Sequence, residues 1–389
     1  MKKKIKSSDD FKFATEQQEL VLKAALLEKS EAVKAWEKWS SSTDLEGYHN
    51  DIFRLLPLLY HNLLKHKIEH PFTQRLKGVY KMFWYQNKKL LHHSTKILNE
   101  LHQLQIDTLL FKGAPLSILH YNNLALRPMN DVDVLVKMND VDKSISFFTK
   151  RGWIPQLSPI KDHLKYHNGV GFADKNGIEF DIHWHPLIES IWEKNHTDFW
   201  ENSVPIKINN CETRAFCAAD ILLHTIIHGM RWNPEPPVRW IPDSYYLINY
   251  SSEQIDWDRF IYLTKKYNLS LKIKNSLNYL IEIFEAKIPL SVMNKLDKMA
   301  VSQIDKIEFN YILNDPEVNH SQRFIGNLLY HVICYRDIMG KRPTLNNILM
   351  FPDYLRYRYG APNLFGLVLL FITLFFKKTF MNLVSFLSR

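Results

Sequence analysis

Apolar residues recur every three or four positions near both ends of this chain, which is the period of an amphipathic helix. Residues from about 14 to 104 contain several such stripes, and the pattern returns from about 217 to 340. The segment between them differs, because its apolar runs are short and its polar residues alternate with apolar ones. The pattern therefore predicts two helical regions on either side of a segment that contains strands.

The middle segment contains three features typical of strands. Asp107–Phe111 is a short apolar run that ends at a Lys-Gly turn, and Val132–Val136 continues the apolar pattern beyond two aspartates. Residues 170–173 and 178–184 flank an Asn-Gly pair, which supplies the positive φ angles of a tight hairpin turn. We predict an α+β fold, with a small mixed β-sheet embedded in a largely helical chain.

These patterns suggest four domains along the chain. They are an N-terminal helical region at 1–104, an α/β core at 105–205, a C-terminal helical domain at 206–340, and a basic, hydrophobic tail at 341–389.

Composition narrows the chemistry only modestly. The net charge of +9 suits polyanionic partners such as nucleotides, nucleic acid or an anionic membrane, although it also fits a mildly basic solvated surface. Three cysteines without a CxxC pair argue against a disulfide framework or a cysteine zinc site. No apolar stretch follows the basic N-terminus, so we expect a cytoplasmic protein without a signal peptide.

Residues 364–376 form a run without charge that is followed by two lysines. A membrane-spanning helix needs about 20 apolar residues, so the run is short for that role. A buried terminal helix, an interfacial anchor and a tilted span all remain open. The second would give the protein peripheral contact with the inner face of a membrane.

The strongest chemical signal is the pair Asp131 and Asp133, because residues two apart in an extended chain point to the same side. Two buried carboxylates repel each other, and a divalent cation relieves that repulsion. Mg²⁺ commonly binds one or two carboxylates together with substrate phosphate oxygens. The alternative is a solvated Asp-x-Asp pair in a loop.

A third acid fits the same arrangement. Glu179, Asp181 and His183 share one face of the strand predicted at 178–184, and either acid would complete a three-carboxylate site if that strand lies beside the first pair. The alternative is an exposed polar strand face. Upstream, Lys112, Gly113 and Ala114 form a strand–turn–helix junction whose backbone N–H groups could hold an anion.

Three segments together, Phe111–Ala114, Leu126–Val136 and Phe180–Trp184, resemble the nucleotidyltransferase superfamily with a DNA polymerase β-type core. More narrowly, the chain is similar to the bacterial "uncharacterised nucleotidyltransferase" family. The resemblance implies Mg²⁺ (or Mn²⁺) dependence and transfer of a nucleoside monophosphate from an NTP with release of pyrophosphate. It also implies that Gly113 and Ala114 form a turn that holds phosphate. The metal ligands it implies are Asp131, Asp133 and Asp181.

The chain departs from the superfamily at the turn that is expected to bind the nucleotide phosphates. Ala114 stands where a serine is usual, and the gap between the turn and the aspartate pair is long. We therefore expect Lys112 or Arg127 to supply the missing electrostatic contact.

His224 and His228 lie one helical turn apart. Zinc binding is disfavoured because the Glu of H-E-x-x-H is missing and no third ligand is evident. A role in the core, or contact with substrate together with Arg231 and Arg239, remains open. The resemblance supports substrate contact, because the family repeats this helix and a following R-W-h-x-D segment, which here ends at Asp243.

We therefore predict a Mg²⁺-dependent nucleotidyltransferase that acts on a hydroxyl or phosphate acceptor. The acceptor we favour is a saccharide or a protein or peptide, and a small metabolite is the next candidate. The alternatives are a DxD-type glycosyltransferase or phosphotransferase and a non-catalytic nucleotide-binding module. Nucleic acid is disfavoured as the acceptor because no compact Lys/Arg array with interleaved aromatic residues stands out.

Overall fold

A computed structural model describes residues 13–42, 50–157, 160–231, 237–314, 324–340 and 344–373. The chain divides into two compact units. The first comprises residues 1–156, 169–186 and 195–316, and the second comprises 157–168, 187–194 and 317–389.

The first unit contains a seven-stranded mixed sheet with the strand order β3-β4-β5-β2-β1-β7-β6. The pairs β2–β5 and β1–β7 are parallel and the other four are antiparallel. The strands are β1 (Leu109–Phe111), β2 (Asp133–Leu135), β3 (Ile154–Pro155), β4 (Gly169–Ala173), β5 (Glu179–His183), β6 (Val204–Ile208) and β7 (Cys211–Ala215). The predicted α+β class with a mixed sheet in a helical chain is confirmed.

The first unit also contains most of the helices, and the regular elements of the second unit are all helical within the described chain. In chain order the helices are α1 (Glu16–Leu26), α2 (Lys29–Ser41), α3 (Asn50–Phe53), α4 (Leu56–Lys65), α5 (Thr73–Gln103), α6 (Gly113–Pro115), α7 (Val141–Lys150), α8 (Ile160–His163), α9 (Thr197–Glu201), α10 (Ala218–Gly229), α11 (Trp240–Tyr250), α12 (Trp257–Lys266), α13 (Ser270–Phe284), α14 (Leu290–Asp297), α15 (Gln303–Asn314), α16 (Phe324–Met339), α17 (Leu345–Leu349) and α18 (Phe351–Arg358). A π-helical turn, Leu116–His120, extends α6.

The predicted Asn-Gly hairpin is the connection between β4 and β5. Gly177 has a φ of 74°, and the Asp174 side chain accepts hydrogen bonds from the backbone N–H groups of Asn176 and Ile178. A second hairpin, β6–β7, was not predicted. Its signal is a short polar–apolar alternation on both sides of Asn209, whose φ of 52° suits a tight turn.

The second unit is held by an aromatic core that includes Tyr166, Tyr335 and Tyr354. The Asp353 carboxylate accepts a hydrogen bond from the Tyr166 hydroxyl at 2.9 Å. The uncharged run noted in the sequence enters this unit as a helix over residues 364–373, and its last three residues lie outside the described chain. Within the described parts, no helix combines the length and the apolar character needed to cross a membrane.

The long helix α5 positions the segment that leads into β2. Asn87 on its inner face is fully buried, and its amide donates to the backbone carbonyls of Leu124 and Arg127. The Asn87 side-chain oxygen accepts the Met129 N–H at 3.1 Å. One side chain thus satisfies three backbone groups that lie immediately before the two aspartates.

We predict that Asn87→Ala lowers the free energy of unfolding by about 2–4 kcal/mol, because it leaves buried backbone groups without partners. Urea denaturation measures this change. Asn99→Ala is the matched control, since Asn99 lies on the same helix and is only partly buried. Equal losses of stability from the two substitutions would contradict the role of Asn87 in holding this backbone segment.

Candidate active site

Two aspartates from neighbouring strands lie side by side at the centre of the sheet. The parallel pairing of β2 and β5 places Asp133 opposite Asp181, and the antiparallel pairing of β1 and β2 places Phe111 opposite Asp133. Residues directly opposite one another project from the same face of a sheet. His183 is two residues after Asp181 and therefore shares that face.

Asp133, Asp181 and His183 each offer one donor atom, and these atoms lie within 4.8 Å of one another. The set contains two carboxylate oxygens and one imidazole nitrogen, and such donors bind divalent cations in proteins. Asp133 is 2% exposed and His183 is 7% exposed. These three residues are therefore a candidate metal-binding group.

Lys112 partly compensates the charge of this group. Its ammonium forms an ion pair with Asp133 Oδ1 and lies 3.3 Å from His183 Nε2. His183 Nε2 in turn lies 3.0 Å from the same Asp133 oxygen. Lys112 has a φ of 58°, an unusual backbone conformation for a residue other than glycine. A cationic group thus stands among the candidate ligands.

Asp181 has no comparable compensation. Its Oδ1 is buried and accepts no hydrogen bond within the described part of the chain. Burial, together with the nearby charges of Asp133 and Asp131, raises the pKa of Asp181 to about 7. A buried carboxylate oxygen without a donor is costly unless it meets a cation or a proton. This oxygen therefore fits the divalent metal that the sequence predicted.

Two glycines on β4 leave space beside the carboxylate and the imidazole. Gly171 pairs with Asp181 and Gly169 pairs with His183. A Cβ atom at Gly171 would lie 2.7 Å from Asp181 Oδ1, and one at Gly169 would lie 2.5 Å from His183 Nδ1. Any other residue would displace these two donors.

The protonation states suit metal binding. Burial raises the pKa of Asp133, but Lys112 and His183 outweigh that effect and hold it well below its ordinary value. Burial and the charge of Lys112 lower the pKa of His183 to about 4. At neutral pH Asp133 is ionised and His183 is a neutral imidazole, which is the form that ligates metals.

Asp131, the first residue of the predicted pair, lies just before β2 and is only partly buried. Burial and Asp133 raise its pKa, whereas Lys112 and Arg127 oppose that rise. Asp131 is near the group but is not among the three donors that lie within 4.8 Å of one another. The ligand set of Asp131, Asp133 and Asp181 stays a prediction.

His183 takes the third position in the observed group. From the sequence, His183 was expected on the same face as Asp181, but no role as a ligand was predicted for it. The signal was present in the alternation of residues 179, 181 and 183.

The predicted phosphate turn is tightly enclosed. Gly113 and Ala114 are buried and begin the short helix α6. A Cβ atom at Gly113 would lie 2.6 Å from Arg127 Nη1 and 3.0 Å from the Met129 side chain. Only glycine therefore lets the turn approach this arginine, and the role of the turn in binding phosphate stays a prediction.

Arg127 is engaged in a buried ion pair. Its guanidinium donates to both carboxylate oxygens of Asp243, with distances of 3.1–3.4 Å. The Tyr121 hydroxyl also donates to Asp243, at 2.9 Å. Arg239 donates to the Pro128 carbonyl at 2.8 Å, and burial together with the charge of Arg127 lowers its pKa to about 9. In this structure these residues hold the segment before β2.

Arg231 differs from the other two arginines. Its Nε and Nη2 atoms are buried and meet no hydrogen-bond acceptor among the described residues. It follows α10, and its charge lowers the pKa of His183 and of His224. The His224 ring packs edge-on against Phe111 at 5.0 Å, and the exposed His228 ring stacks on His224 at 5.7 Å. Arg231 therefore presents a guanidinium group near His183 with two N–H donors that no described residue accepts from.

Paired carboxylates on adjacent strands of a mixed sheet, beside a glycine turn, are what we expected for a nucleotidyltransferase. The chain belongs to the family described as "Uncharacterised nucleotidyltransferase", which matches residues 53–285, more than half of its length. The predicted family and enzyme class are confirmed.

Among solved structures, the chain is similar to the crystal structure of an antigenic nucleotidyltransferase-like protein from Paracoccidioides brasiliensis. The two share 14% identity with a TM-score of 0.35, and the match covers 52% of this chain and 95% of that one. No curated protein matches the chain.

We predict that Asp181→Asn removes a pH dependence of stability in metal-free protein. The folded state keeps a proton at Asp181 between about pH 4 and 7, where the unfolded state has lost it, so wild-type stability falls as pH rises across this range and levels off above about pH 7. In chelator, thermal unfolding at about pH 8 should show the variant to be more stable than wild type, and this difference should shrink by more than half at about pH 5 and nearly vanish at about pH 4.

Asp142→Asn, which removes an exposed carboxylate on α7, is the control and should follow wild type at both pH values. If Asp181→Asn keeps the wild-type pH dependence, the raised pKa is refuted.

Proposed function

We propose that this protein transfers a nucleoside monophosphate from an NTP to a hydroxyl or phosphate acceptor and releases pyrophosphate. The observation that carries this proposal is the buried Oδ1 of Asp181, which accepts no hydrogen bond from any described residue and belongs to a carboxylate that lies beside Asp133 and His183. Family membership supplies the reaction class, and the acceptor we infer is a saccharide or a protein or peptide side chain.

The residues that would hold the metal are Asp133, Asp181 and His183, with Asp131 close enough to contribute charge. When bound, Mg²⁺ or Mn²⁺ neutralises phosphate charge and lowers the pKa of an attacking hydroxyl. The oxygen-rich set with one imidazole fits either ion.

The acceptor proton needs a base. We infer that Asp181 takes this role with the carboxylate oxygen that does not hold the metal, because Oδ1 is the oxygen left without a hydrogen-bond donor among the described residues and suits the cation. The proton would move from the acceptor hydroxyl to Asp181 Oδ2.

The negative charge of the triphosphate needs cations, and two are available on the chain. Lys112 lies at the turn before α6, and Arg231 presents donors that no described residue uses. Fixed donors aimed at developing charge stabilise a transition state because they need no reorganisation. We infer that Arg231 binds the phosphate groups that leave as pyrophosphate, with His224 beside it.

We predict that Asp133→Asn lowers the rate of NTP consumption by more than about 100-fold, because it removes an anionic ligand. The assay follows release of pyrophosphate from each NTP with Mg²⁺ or Mn²⁺ and candidate acceptors. Glu179→Gln removes a carboxylate from β5, the strand of Asp181 and His183, at a position outside the donor group, and it should keep near wild-type activity.

Turnover of a nucleotide sugar without turnover of any NTP would instead indicate a glycosyltransferase. Nucleotide binding without turnover would indicate a binding module.

We further predict opposite effects of Arg231→Met on stability and on nucleotide binding. Arg231 is partly buried, and its buried Nε and Nη2 meet no described acceptor, so removing them should raise the free energy of unfolding. The same change should weaken NTP binding about tenfold, because charge-assisted hydrogen bonds to phosphate are lost. Denaturant unfolding and calorimetric titration measure the two effects.

Arg231→Lys keeps the charge but loses the planar fork, so its NTP affinity should fall between those of wild type and Arg231→Met. Unchanged NTP affinity in both variants would exclude Arg231 from the phosphate site.

A further inference from the structure

Helix α5 concentrates the positive charge of the chain. Between Thr73 and Gln103 it contains six lysines and arginines and one acid, Glu100, which gives this helix +5 of the total charge of +9. Glu100 lies near the end of the helix and is ion-paired with Arg151 at 2.6 Å. Most of the positive charges on α5 therefore have no carboxylate beside them on the helix itself.

Five of these cations lie on the solvent face. Lys77, Lys81, Lys88, Lys89 and Lys96 are all exposed, and their spacing places them on one side of the helix. None of the five forms a side-chain hydrogen bond or ion pair within the described part of the chain. From Lys77 to Lys96 the row extends about 28 Å at 1.5 Å per residue.

Two aromatic side chains interrupt the row. Trp84 is 45% exposed and Tyr85 is 65% exposed, and the ammonium of Lys88 lies 5.8 Å from the Trp84 ring centre. The sequence shows no compact basic run because the helix, and not adjacency in sequence, brings these residues together.

A nucleic acid strand fits this face better than a membrane surface. Interfacial helices insert a continuous apolar face that contains several aliphatic residues. On α5 the large exposed hydrophobic residues are Trp84 and Tyr85 alone within the described chain, while its leucines are buried. Cations that follow a phosphate backbone, together with aromatic rings that stack on bases, are the features that bind single strands.

We propose that the solvent face of α5, from Lys77 to Lys96, binds single-stranded nucleic acid. The lysines contact successive phosphates, and Trp84 and Tyr85 stack on unpaired bases. Asn87 on the opposite side of α5 holds the segment that leads to the aspartates. A bound strand would therefore lie on the same helix that supports the candidate active site.

The test measures fluorescence anisotropy of a labelled oligoribonucleotide of about 12 nucleotides with the full chain, without NTP. We expect affinity to fall about 100-fold between about 50 and 200 mM salt if the five lysines contact phosphates. The double variant Lys81→Glu/Lys88→Glu should bind at least about tenfold more weakly and show a shallower salt dependence. Trp84→Ala with Tyr85→Ala should also lose about tenfold, with the salt dependence unchanged.

Lys29→Glu/Lys306→Glu is the matched control, since it changes two exposed lysines on other helices and alters net charge equally. This control should bind within about twofold of wild type at the same salt. Equal losses in both double variants would overturn the proposal, as would binding to phosphatidylglycerol vesicles without binding to the oligonucleotide. A duplex of the same sequence should bind more weakly than the single strand, because its bases cannot stack on Trp84 and Tyr85, and tighter binding of the duplex would also overturn the proposal. Because no transfer is measured, failure here leaves the proposed reaction untouched.

Discussion

The parallel pairing of β2 with β5 is the constraint on which the candidate site depends. It aligns Asp133 with Asp181 and brings two carboxylates together in a buried part of the sheet. Such an arrangement costs free energy unless cations or protons accompany it. Lys112 compensates one carboxylate, while the other has a raised pKa and an oxygen that accepts no hydrogen bond from the described residues. The negative charge of Asp181 is therefore not fully compensated by the described residues, and a bound cation or a proton would neutralise it.

The surrounding structure supports this deficit through polar contacts and small residues. Asn87 fixes the backbone before the aspartates, and the Arg127–Asp243 ion pair anchors the same segment from α11. Gly169 and Gly171 on β4 leave space where any side chain would press on the donors. The site is therefore built at a junction of α5, α11 and the sheet, and each element contributes a contact to a different part of it.

Much of this arrangement was predictable from local pattern. The alternation around Asp133 and Asp181, and the Asn-Gly turn before β5, have periods that the sequence displays directly. Their chemical pairing was also expected, because two carboxylates in adjacent strands need a cation.

Contacts between distant residues were not predictable in the same way. Arg127 and Lys112 were predicted to contact a nucleotide, and the structure pairs them with Asp243 and Asp133, which lie far away in sequence or on another strand. Alternation along β5 shows that His183 shares a face with Asp181, but its approach to Asp133 depends on the register of β5 against β2. Contacts of this kind arise from packing between separate segments, so the sequence of either segment alone does not display them.

The position of Lys112 links the two halves of the proposed chemistry. Its ammonium shares Asp133 Oδ1 with His183, so it competes directly with any cation for that oxygen. If a metal ion binds Asp133 Oδ1 instead, the Lys112 ammonium loses the one carboxylate with which it pairs among the described residues. It then lies without a counter-charge just before the turn that begins with Gly113. The nearest compensation is then an anion held at the same turn, such as a phosphate. Metal binding and triphosphate binding would therefore favour each other, because each supplies the charge that the other displaces.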